Sequence, residues 1–73
     1  MIPIEDLIAD RMAQALDGRL VRKDMQNQAI RLYQLAEALD EEYLDIRIRM
    51  ETVGEASLET LSGWVAHADR EAE

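Results

Sequence analysis

Apolar residues recur along this chain at three- and four-residue spacing, the period of a helical face and not of a strand. In the first segment Ile4, Leu7, Ile8, Met12, Ala15 and Leu16 carry that spacing. Pro3 suits the first turn of a helix, and Glu5 and Asp6 suit its positive end. Gly18 then supplies a stop. The pattern predicts a first helix over residues 4–17, with Asp10, Arg11 and Gln14 on its wet side.

From Leu20 no Gly or Pro interrupts the chain until Gly54. Within that stretch Met25, Ala29, Leu32, Ala36, Leu39, Tyr43, Ile46, Met50 and Val53 advance by four and three alternately, a sustained heptad. It predicts one long helix over residues 20–52, roughly 50 Å at about 1.5 Å per residue. The alternation Ile46, Arg47, Ile48, Arg49, Met50 is too short to override it. Beyond Gly54, Glu55 to Ser57 read as a turn and cap. Leu58, Leu61, Trp64, Val65 and Ala68 predict a third helix over residues 57–72, with Gly63 inside it. The expected fold is all-α, a short-long-short chain of three helices in a single domain over residues 1–73.

A heptad of this length needs a partner surface. In a parallel pair Ala29 and Ala36 would each face themselves in thin layers. Reversing the second copy sets Met25 against Met50, Ala29 against Ile46, Leu32 against Tyr43 and Ala36 against Leu39, so that each small residue meets a larger one. Charge agrees, because Arg19, Arg22, Lys23 and Arg31 make the start of this segment basic and Glu37, Asp40, Glu41, Glu42 and Asp45 make its middle acidic. The expectation is an antiparallel homodimer forming a helical bundle, with Met25, Ala29, Leu32, Ala36, Leu39, Tyr43, Ile46 and Met50 at the interface. A monomeric three-helix hairpin is the rival.

Composition favours the dimer. A 73-residue chain with no Phe and no Cys has a thin core and no disulfides. Lack of cysteine also removes most structural zinc chemistry, and a single His removes His-rich sites, so no metal or cofactor is expected. The net charge of -8 opposes phosphate backbones and anionic lipid, which argues against direct nucleic-acid or membrane binding. No apolar run is long enough to span a bilayer, and Glu5, Asp6 and Asp10 stand where a targeting leader carries positive charge. A cytoplasmic location is expected.

Few residues suggest chemistry. Glu37, Glu41 and Asp45 have the i, i+4, i+8 spacing of one helical face, but a di-metal bundle also needs a Glu-x-x-His motif, and His67 has none. They read as a solvated acidic face. His67 stands near a helix C-terminus, where a cation suits the dipole, and Ser57 and Ser62 read as cap and surface. No enzyme is expected. Trp64 reads first as core or dimer packing and second as a partner contact. Off the seam, Leu44 and Ile48 form an i, i+4 pair that becomes a docking stripe if nothing covers it. Candidate partner contacts are thus Glu37, Glu41, Glu42, Asp45, Leu44, Ile48 and Trp64. The functional expectation is a small acidic, non-catalytic protein–protein interaction protein, an adaptor, chaperone-like subunit or inhibitor working through helix faces. The alternative is a nucleic-acid mimic that blocks a DNA- or RNA-handling machine such as a restriction or CRISPR system, resting on the acidic run from Glu37 to Asp45.

Overall fold

A computed structural model describes residues 2–18 and 20–71, with the side chain of Glu71 left aside. Among the described residues the protein is all-helical, with α1 over Ile4–Ala15, α2 over Lys23–Leu35, α3 over Glu41–Glu51 and α4 over Leu58–Glu71. Helix α1 begins where Pro3 sets the chain: the Pro3 carbonyl accepts from the Asp6 and Leu7 amides at 3.1 and 3.3 Å. It ends two residues earlier than the apolar pattern suggests. Leu16 and Asp17 lie in the turn, Gly18 takes a φ of +130° open to glycine, and the Arg22 amide reaches back to the Ala15 carbonyl at 2.8 Å.

Helix α1 is the hub. Its residues Ile8, Ala9, Met12 and Ala15 are fully buried, and it packs against both α2 and α3, while α4 closes the opposite side against the same two helices. Ala29 of α2, Leu44 and Ile48 of α3, Ala56 of the following turn and Leu61 of α4 complete the core, with Leu39 and Trp64 packed at its margin.

The single long helix expected over residues 20–52 is corrected to two. Residues 20–22 precede α2, and the chain leaves helical geometry at Ala36 (φ -69°, ψ 129°), returning to it only after Asp40. No Gly or Pro marks the break; a helix start does. The Asp40 carboxylate accepts the Tyr43 amide at 3.0 Å, a cap that stabilises by about 1 kcal/mol. Glu41 and Glu42 place negative charge in the first turn, and Glu5 of α1 accepts the Asp40 amide at 3.0 Å. Leu39 just before the cap packs against the core and Leu44 in the next turn lies within it, the two positions that fix the entry of a helix. Overall extents of 32 × 32 × 21 Å leave no room for a rod of roughly 50 Å.

The break also divides the heptad. In α2 and the linker its residues turn inward, Ala29 fully and Met25, Leu32, Ala36 and Leu39 in part. In α3 they turn outward, and Leu44 and Ile48 take the core instead. The apolar seam ascribed to one helix is therefore two faces of two helices, and Ala29 is already spent inside its own chain.

Helix α3 ends in a closed C-terminal motif: the Gly54 amide bonds the Arg49 carbonyl at 2.8 Å and the Val53 amide bonds the Met50 carbonyl at 3.3 Å. Both residues take positive φ, +79° at Gly54 and +54° at Val53, the latter a β-branched side chain in the left-handed region. Thr52, buried, latches the turn by donating its hydroxyl to the Ile48 carbonyl at 2.7 Å and accepting the Ala56 amide at 3.0 Å. Ser57 precedes α4, and its amide bonds the Thr60 hydroxyl at 3.2 Å. The third helix expected over residues 57–72 thus corresponds to α4. Ala72 and Arg19 fall outside the described residues.

Two surface positions carry removable cost. Val53→Gly relieves the left-handed strain without losing packing, since Val53 is 88% exposed. Gly63→Ala fills open space on an exposed helix face, as nothing in the chain lies within 4 Å of an added Cβ. Each substitution is expected to stabilise by about 1 kcal/mol, raising Tm by roughly 4–8 °C in thermal unfolding followed by circular dichroism.

Candidate interaction surface

Helix α3 carries apolar side chains on two opposed faces. At about 100° per residue, Ile46 lies roughly 160° around the helix from Leu44 and Ile48. The inner pair is fully buried, whereas Ile46 and Met50 are 49% and 64% exposed. Tyr43, also exposed, extends the outer line toward the start of the helix, so that residues 43, 46 and 50 form one ridge, while Val53 is exposed in the left-handed turn beyond the helix end.

Polar contacts on its flanks hold that ridge outward. Toward α1, Asp6 accepts the Tyr43 hydroxyl at 2.7 Å and the Arg47 Nε at 3.1 Å, and Arg47 also pairs with Glu51. The bond to Asp6 raises the Tyr43 hydroxyl above its ordinary pKa. Toward α4, Asp45 accepts the Leu58 amide at 2.9 Å and the Arg49 Nε at 2.9 Å. Partly exposed ion pairs of this kind contribute about 0–1 kcal/mol each. Their effect is orientation: α3 is clamped between neighbours with its outer face uncovered.

The sequence-predicted contacts scatter. Leu44 and Ile48 lie in the core, so they form no surface stripe in this fold. Asp45 supports the start of α4. Glu37 stands in the α2–α3 linker, while Glu41 and Glu42 are exposed in the first turn of α3, so Glu37, Glu41 and Asp45 do not share one helical face. Trp64 is half-buried and packs against the core while lining a groove of ≈ 370 Å³ between α2 and α4, together with Ile30, Lys23 and His67. Of the residues expected at a homodimer seam, Tyr43, Ile46 and Met50 are exposed together, and Met25, Ala29, Leu32, Ala36 and Leu39 are buried or half-buried.

Sequence reasoning missed the clamp formed by Asp6, Tyr43 and Arg47, which joins segments 37 residues apart in the case of Tyr43 and leaves no local trace. A second cleft, ≈ 330 Å³, opens between the end of α1 and the α3–α4 turn, where Leu16 and Val53 are rimmed by Asp17, Glu51 and Glu55. Among the described residues no three His, Cys, Asp or Glu side chains converge in a way that would hold a metal ion, and no helix is long and apolar enough to cross a membrane. No family model matches the chain, and no curated protein or solved structure matches it. The surface therefore speaks only through its geometry.

Asp45 makes the α3–α4 joint pH-sensitive. Its bond from the Leu58 amide, and then that from Arg49, hold the carboxyl below the ordinary aspartate range. A carboxyl depressed in the folded state stabilises above its unfolded pKa and loses that contribution as pH falls through the folded value. Asp45→Asn is expected to lower Tm at neutral pH, and the gap from the native chain should close as both are taken to about pH 2. Paired thermal melts across that range measure it.

Proposed function

We propose that this chain is a small, acidic, non-catalytic protein–protein interaction protein, acting as an adaptor, chaperone-like subunit or inhibitor, and that it engages through the outer face of α3. One observation carries the reading: Tyr43, Ile46 and Met50 form an exposed apolar line on a helix whose core duty is fully met by Leu44 and Ile48. Single exposed apolar residues are ordinary, but a contiguous line at i, i+3 and i+7 is the form in which helices present anchors to partners. Met50 adds adaptability.

The proposal takes the chain as cytoplasmic and without a direct nucleic-acid or membrane role, supported by its charge of -8. Mimicry of nucleic acid stays as a second reading, favoured by Glu37, Asp40, Glu41 and Glu42, all exposed and none in a salt bridge among the described residues. The two separate in one affinity-capture experiment. On the leading reading, Ile46→Glu with Met50→Glu removes the captured protein and Glu37→Lys with Glu41→Lys retains it. Mimicry predicts the reverse, with capture falling steeply as salt is raised.

A further inference from the structure

The outer ridge of α3 is complementary to itself. A twofold interface requires that one surface satisfy its own reversed image, each residue i meeting j while j meets i. Taking Ile46 as the centre, Tyr43 stands three residues before it and Met50 four after, so reversal brings Tyr43 against the partner's Met50 on both sides of the axis. Aromatic ring against thioether is a favourable contact. Glu42 stands four residues before the centre and Arg49 three after, so the same reversal sets Glu42 beside the partner's Arg49, twice. Both side chains are exposed and lie on the same flank of the ridge, by their angular positions around the helix. The acidic first turn of each helix meets the basic last turn of the other, and the two helix dipoles run opposed.

Resting on the interaction surface proposed above, we infer that its occupant is a second copy of this chain, α3 pairing antiparallel with α3 across a twofold axis at Ile46. This pairing differs from a long heptad coiled coil, since Ala29 and its neighbours in α2 stay within their own chain. The charge of -8 on each copy repels at a distance but is screened beyond about 8 Å at physiological salt, and the contact itself balances an acid with a base. One helix pair covers less than the roughly 1,200 Å² of a standard interface, so association is weak and reversible.

The chain has no cysteine, which permits a clean test. Ile46→Cys sits on the axis and is expected to give a disulfide-linked dimer under mild oxidation, whereas Met50→Cys, eight residues in register from its own image, is expected to stay uncrosslinked. Sedimentation equilibrium should show a concentration-dependent dimer that Ile46→Glu weakens by roughly tenfold or more while helical circular dichroism is unchanged. Glu42→Arg should weaken it as well, and adding Arg49→Glu should restore it. A native chain that remains monomeric, a dimer indifferent to Ile46→Glu, or preferential crosslinking through Met50→Cys overturns the self-pairing. Capture of another protein that is lost in Ile46→Glu, with the native chain monomeric, also overturns it and leaves the interaction surface standing; a ridge-dependent dimer alongside partner capture unaffected by Ile46→Glu supports the self-pairing and removes the adaptor role from this face.

Discussion

Helix α3 has two apolar faces, and a chain of this size can bury only one of them. The choice falls on Leu44 and Ile48, and it is enforced by where the helix begins. Asp40 starts a new helix, Leu39 and Leu44 settle its entry onto the core, and Glu5 of α1 holds the Asp40 amide. With those contacts made, the alternate face has nowhere to point but outward. Burying a side chain such as Leu or Ile is worth about 1.5–3 kcal/mol, so the two inner residues outweigh the cap by themselves. The cap decides register; the core decides that a break is worthwhile.

Helical content, the approximate position of the first and last helices and their apolar faces were legible from local spacing. Gly18 and Gly54 marked real turns, and both take positive φ. What misled was the interior of the heptad. A four-three alternation from Met25 to Val53 is compatible with one continuous helix, and only a weighing of alternatives in three dimensions shows that Leu44 and Ile48 serve the core better than Ile46 and Met50 do. The signal for the break was present in Asp40, Glu41 and Glu42, an N-cap residue followed by acids. Without a Gly or Pro beside it, that signal is indistinguishable along the sequence from part of a charge run.

The heptad assigns the ridge residues Tyr43, Ile46 and Met50 to an interface, on the premise of a rod. The structure keeps their exposure and discards the rod. Leu44, Ile48 and Asp45, candidate surface contacts by their spacing, are structural instead, the first two as core and the third as the acceptor for the start of α4. Contacts such as Asp6 with Arg47 could not have been read from spacing, because they depend on how α1 and α3 cross.

The flanks of the ridge bear on how it would meet any other surface. Arg49 uses its Nε on Asp45, one of five N–H donors that a guanidinium offers, and the side chain stays largely exposed. Its position is therefore set before any partner arrives, which lowers the ordering cost that long charged side chains bring to an interface. Tyr43 is held in the same way by its bond to Asp6. Met50, by contrast, is 64% exposed, and its unbranched thioether chain is the adaptable member of the ridge. A surface with Tyr43 and Arg49 held in place and an adaptable Met50 keeps one orientation while tolerating imperfect shape complementarity where Met50 packs, and that combination favours a contact specific in geometry and modest in strength.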